Sequence, residues 1–129
     1  MKRATYSMLV IRALWQLAFY DLINALFGFE GVHKRVARRR VAARPTGPVT
    51  EALVCDAVVL AACLYFKPSL CLQRSVVTTL LLRQQGMAGR LVIGYRPAPF
   101  FSHAWVEVDG RVVNDSPAYK ERLQVLCTA

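Results

Sequence analysis

Apolar stretches bounded by polar or breaker residues set out the elements of this chain. Across residues 6–29 apolar side chains dominate, and Arg12, Gln16, Asp21 and Asn24 interrupt them at intervals that mark one narrow face of a helix. Residues 50–64 read as a second helix. Thr50 is placed as its N-cap and Glu51 in its first turn, while Leu53, Val54, Ala57, Val58, Leu60, Ala61 and Leu64 would cover a neighbouring helix. That neighbour spans residues 72–85, with Ser69 as the expected N-cap, so that Cys71 falls in the first turn, and Gly86 as the expected terminator. Leu72, Val76, Leu80 and Leu81 share one of its faces, and Gln73, Arg83, Gln84 and Gln85 read as terminal or outward. Beyond Gly86 the pattern changes to alternating or continuous apolar character. Residues 90–95 and 103–108 read as strands, and a third, 111–115, follows the turn signal Asp109-Gly110.

Helices followed by strands imply an α+β fold, with a small antiparallel sheet packed on the 72–85 helix. At 129 residues and 55% hydrophobic the chain reads as a single domain over 1–129. Within it, 1–48 form a helical, basic N-terminal extension and 49–129 the core.

Charge adds a second feature. The formal net charge is +9, much of it in the run from Lys34 to Arg40 and in Arg44, ahead of the breaker segment Pro45-Thr46-Gly47-Pro48. Such a run attracts nucleic acid, anionic lipid or acidic peptide, though a solvated helix face or linker is the simpler reading. It lacks interleaved aromatics for base stacking, which argues against nucleic acid as a partner. His33, at its edge, reads as a surface residue. A membrane span over residues 6–29 would have to bury Arg12 and Asp21, and a signal peptide starting at Met1-Lys2-Arg3 would be interrupted by Arg12 with no small-residue cleavage site after it. The preferred reading is a helix packed on the core with a surplus apolar face for a partner or peptide, with peripheral membrane contact left open. The four cysteines then read as reduced thiols of a cytoplasmic protein, with Cys55, Cys63 and Cys127 as small buried hydrophobes. Cys71 and His103 alone do not make a metal site, and no cofactor is expected.

Candidate chemistry rests on three residues in order: Cys71 at a helix start, His103 on a strand, and Asp115 past a tight turn. A thiol attacks a carbonyl well only as thiolate, and a helix N-terminus with an imidazole partner favours that form. Whether His103 and Asp115 meet depends on the hairpin. A two-residue loop at Asp109-Gly110 sets Asp115 opposite Ala104, on the wrong face. A three-residue loop, Val108-Asp109-Gly110 with a G1 bulge, pairs Glu107 with Arg111, Trp105 with Val113 and His103 with Asp115, and it is the register expected here.

The segments Ser69-Leu-Cys71-Leu-Gln-Arg74, Gly86-Met-Ala-Gly-Arg-Leu-Val-Ile-Gly94, His103-Ala-Trp-Val-Glu-Val-Asp-Gly110 and Val113-Asn-Asp-Ser-Pro117 resemble the transglutaminase-like leader peptidases of lasso-peptide biosynthesis, over about residues 69–117. The resemblance implies a papain-like cysteine protease core, with Cys71 as nucleophile, His103 as general base and acid, and Asp115 as orienter. It implies a substrate too: a ribosomally made precursor peptide, cut between leader and core so that a separate ATP-dependent cyclase can close the ring. Fused members carry a leader-recognition domain ahead of the peptidase. No such winged, strand-rich unit is legible here, so a separate recognition protein is expected. The Cys71 backbone N–H is the leading oxyanion donor. The glutamine that papain-like proteases place before the nucleophile is missing, Tyr65, Phe66 and Lys67 occupying that region, which leaves Gln73 and Trp105 as weaker candidates for a second donor.

Two other functions fit the same residues. One is an acyl transferase that passes the thioester to an amine; the other is a non-catalytic basic adaptor that binds a partner or membrane through its N-terminal helix.

Overall fold

The computed structural model describes residues 2–42, 50–66, 68, 70–115 and 118–129, with the backbone alone at 2–4. Ser69, Arg44 and the breaker segment Pro45-Thr46-Gly47-Pro48 lie outside the described residues. The elements run α1 (Lys2–Arg38), α2 (Glu51–Leu64), α3 (Cys71–Gln84), β1 (Gly89–Pro97), β2 (Phe100–Val108), β3 (Arg111–Val112), α4 (Ala118–Arg122) and β4 (Gln124–Thr128). The strands form one antiparallel sheet in the order β3-β2-β1-β4. The fold is therefore α+β, helices first, as the element pattern implies.

Helix α3 is the centre of the molecule. It packs on α1 and α2 on one side and on β1 and β2 on the other, so it is buried nearly all round. Gln73, Arg83 and Gln85, read from the sequence as outward or terminal, are buried as well. An enclosed helix must satisfy its polar side chains inside the protein. Thr78 and Thr79 hydroxyls donate to the carbonyls of Arg74 and Ser75, and Arg83 donates to the Gly89 carbonyl at 2.8 Å and the Arg39 carbonyl at 3.1 Å. Helix α3 ends as expected at Gly86, where Met87 N–H bonds Leu82 O and Gly86 N–H bonds Arg83 O in a Schellman arrangement.

Thr50 caps α2, its hydroxyl accepting from Leu53 N–H at 3.2 Å. The buried face of α2 is Val54, Ala57, Val58 and Ala61; Leu60 and Leu64, expected to cover α3, are exposed instead. Helix α1 extends past residue 29 and bends sharply at Gly28, whose φ of 69° and ψ of −166° suit only glycine. The bend folds the second limb back on the first, and Arg35 reaches the Gln16 amide oxygen. Val32 and Val36 enter the core beside Tyr20, Val76 and Leu91. His33 is half-buried, its Nε2 3.3 Å from the Thr128 carbonyl on β4, rather than a free surface residue. Beyond Pro117 the chain adds α4 and β4, and β4 completes the sheet beside β1.

Candidate active site

The hairpin between β2 and β3 differs from the expected register. Val108 pairs with Arg111 and Glu107 with Val112, so the loop is the two-residue Asp109-Gly110 turn. Both turn residues have positive φ, 53° and 79°, the signature of a type I′ turn, and this local preference overrides the three-residue alternative. Arg111 consequently bridges to Glu51 at 3.1 Å rather than facing Glu107, and Trp105 lacks its expected partner Val113.

His103 and Asp115 nevertheless meet, because the chain leaves the sheet at the right point. β3 ends after Val112, Val113 N–H still bonds the Val106 carbonyl, and the Asn114 side-chain carbonyl then takes the Val106 N–H at 2.8 Å. With a side chain standing in for the next ladder bond, the backbone is free to turn away. Asp115 Oδ2 comes to rest 2.6 Å from His103 Nε2. Asn114 also donates to Ser75 Oγ at 3.2 Å, and Ser75 donates to the Ala104 carbonyl at 3.2 Å, which ties α3 to β2 beside His103.

Cys71 is the first residue of α3, one helical turn before Ser75. The cap residue is Leu70, which makes no side-chain cap hydrogen bond, and the first intrahelical bond runs from Arg74 N–H to Leu70 O. First-turn N–H groups, that of Cys71 included, therefore lack intrahelical acceptors and sit where the helix dipole favours negative charge. Cys71 is half-buried beside Tyr20, Val76 and Ala104. A cleft of about 190 Å³ joins it to Cys55, Arg74, Ser75, Asn114 and Asp115. Asp115 thus contacts His103 and lines the Cys71 cleft at once.

Strand alternation gives the site its shape. Ala104, Val106 and Val108 pack with the helices, whereas Trp105 lies on the opposite face with Val92, Leu123 and Tyr119. His103 shares this second face, stacking on Tyr119 with ring centroids 4.0 Å apart. The Cys71 cleft and the His103 ring therefore lie on opposite faces of β2, linked by Asp115, which lines the cleft and contacts the imidazole, and among the described residues no hydrogen bond joins thiol and imidazole directly. With Nε2 held by Asp115, Nδ1 is the ring nitrogen left for a thiol.

Neither expected second oxyanion donor is placed for that role. Gln73 Nε2 donates to the Leu17 carbonyl on α1 at 3.0 Å, and the single Trp105 N–H goes to Glu107 Oε2 at 2.8 Å. Glu107 also meets Lys120 Nζ at 3.4 Å, so the carboxylate that holds the Trp105 indole is itself paired. Two residues near the centre had no signal in the sequence. Tyr119 lies on a five-residue helix too short to show a period. Tyr20 belongs to α1, far from Cys71 in the chain, yet its hydroxyl pKa is raised by burial and then by the charges of Asp21 and Cys71.

All four cysteines are free. Cys63 is exposed and Cys127 half-buried, which corrects their reading as buried hydrophobes. Cys55 is half-buried and donates to the Val113 carbonyl at 3.4 Å. Burial, followed by the charges of Asp56 and Glu51, pushes its thiol up to about 11. Among the described residues, no group of three or more His, Cys, Asp or Glu side chains is placed to hold a metal ion.

A buried central helix with a cysteine at its N-terminus, packed on an antiparallel sheet whose second strand carries a histidine bonded to an aspartate, defines a transglutaminase-like core. The chain belongs to the transglutaminase-like superfamily, whose family model matches residues 13–128. It is also 43% identical over 56 residues to the microcin J25-processing protein McjB of Escherichia coli, a match covering 43% of this chain and 27% of that relative. The chain therefore spans only about a quarter of the curated relative's length. No solved structure matches.

Proposed function

We propose that this chain is a cysteine peptidase that removes the leader from a ribosomally synthesised lasso precursor peptide. The observation that carries the reading is the 2.6 Å contact between His103 Nε2 and an Asp115 that also lines the cleft of a helix-start thiol. Similarity to a microcin J25-processing protein supports the substrate class.

In this reading Cys71 gives its proton to His103 Nδ1 and attacks the carbonyl at the leader–core junction. The Cys71 backbone N–H stabilises the oxyanion, and Asp115 holds the imidazolium through Nε2. His103 protonates the departing core amine, leaving the leader as a thioester on Cys71. Water, deprotonated by His103, then hydrolyses the thioester and restores the thiol. Thiol and imidazole close their remaining separation when the substrate is seated, as catalytic hydrogen bonds tighten in the Michaelis complex. The freed core N-terminus is the nucleophile that a separate cyclase needs, and a separate recognition protein presents the leader. This work takes place in the cytoplasm.

Incubating the full chain with its cognate precursor and recognition protein and weighing the products tests the reading. Hydrolysis adds one water across the two fragments. A leader–amine adduct in the presence of an added amine would instead identify an acyl transferase.

A further inference from the structure

Helix α1 has two faces of opposite fate. Leu9, Ala13, Leu17 and Tyr20 are buried against α2 and α3. On the other side, Met8, Ile11, Trp15, Phe19, Leu22 and Leu26 recur at intervals of three and four and are between 43% and 73% exposed. Six large apolar side chains exposed in one row form the kind of contiguous patch that marks an interaction site.

Two basic clefts adjoin the stripe and identify what covers it. The larger, about 730 Å³, is lined by Arg12, Trp15, Arg39, Arg40 and Arg83. The second, about 480 Å³, lies between the two limbs of α1 and is lined by Phe27, Lys34, Arg35, Arg38 and Arg39. They share Gln16 and Arg39, and among the described residues neither is lined by a carboxylate. Arginine and aromatic groups interleave, with the Arg35 guanidinium 4.7 Å from the Phe19 ring centroid. Trp15 belongs to both the stripe and the larger cleft.

From this juxtaposition we propose that the outer face of α1 docks on an anionic lipid bilayer, its stripe entering the headgroup boundary while Arg12, Arg38, Arg39 and Arg40 take lipid phosphates. Apolar contact and positive charge act together at such a surface. α1 is long and apolar enough to cross a membrane by length and composition. It lies on the bilayer instead, because its inner face is part of the core and is tied there by Gln73 to the Leu17 carbonyl and by Tyr65 to Asp21. A second copy of the chain is a poor occupant, since it would set the Arg12, Arg39 and Arg40 clusters of two chains, each of formal net charge +9, against one another. The proposal stands apart from the peptidase reading and needs no activity for its test.

The test is flotation of the full chain with vesicles of phosphatidylcholine alone or mixed with phosphatidylglycerol, at low and high salt. Trp15 fluorescence is the second readout, because Trp105, the other tryptophan, is fully buried. The expected result is binding to the anionic vesicles that salt weakens, with a blue shift that is lost in Trp15→Ser. Neutralising Arg39 and Arg40 to Gln should weaken binding about fivefold each, on the order of thirtyfold together, with the circular dichroism spectrum unchanged. Failure to float with anionic vesicles would overturn the proposal. So would equal binding to both vesicle types, a Trp15 shift produced by polyglutamate but not by vesicles, or self-association that buries Trp15 without lipid.

Discussion

Asn114 holds the Val106 N–H through its side chain, and that one bond is what allows Asp115 to reach His103. The hairpin register by itself would send Asp115 to the wrong face. Because the Asn114 carbonyl oxygen replaces a backbone acceptor at 2.8 Å, the strand can end early and the aspartate can turn toward the imidazole. Asn114→Ala leaves the Val106 N–H without its acceptor and should cost about 1–3 kcal/mol in urea denaturation. Cleavage of the precursor should fall by more than that loss of stability accounts for.

In the proposed mechanism Asp115 orients the base and adds little to ground-state binding, so Asp115→Ala should lower kcat about a hundredfold or more with little change in KM. Asp115→Asn keeps an oxygen that can accept from His103 and should retain more activity. Steady-state cleavage kinetics on the precursor distinguish the two variants.

Gly94 faces His103 across the β1–β2 pair, and a Cβ there would come within 2.6 Å of the Trp105 ring and 2.9 Å of Leu123 Cβ. Gly94→Ala should therefore destabilise by about 1–3 kcal/mol through overpacking, measured as a lowered Tm. It should also disturb the His103 ring, which stacks against Trp105.

Cys55 sets an alkaline limit on stability. Its thiol ionises near 9.0 when unfolded and at about 11 when folded, so the unfolded state loses its proton first as pH rises. Its contribution is whole below pH 9 and is lost progressively between pH 9 and 11. Thermal melts of the protein across this window should fall more steeply than those of Cys55→Ala.

Much of this architecture was legible from residue types alone. Thr50 and Gly86 mark helix ends because capping geometry is local, and Cys71 opens α3 although Leu70 rather than Ser69 is its cap residue. The strands around His103 follow from apolar patterning. What escaped depends on tertiary context. Gln73 and Arg83 looked outward because a helix enclosed on both sides carries no amphipathic signal, and their partners, the Leu17, Gly89 and Arg39 carbonyls, lie on other elements. The departure of the chain at Asn114 depends on a side chain replacing a backbone bond, which no periodicity reports. Gly28 bends α1 inside a run whose apolar character hides the break.

In the proposed function Cys71, served by His103 and Asp115, cuts the precursor. The most direct test of this is mass spectrometry of the cognate precursor incubated, with the recognition protein, with the wild-type chain, Cys71→Ala and His103→Ala, each shown to be folded by circular dichroism. The expected result is leader and core fragments from the wild type alone, with intact precursor in both variants. Cleavage by folded Cys71→Ala at a rate near that of the wild type would contradict it.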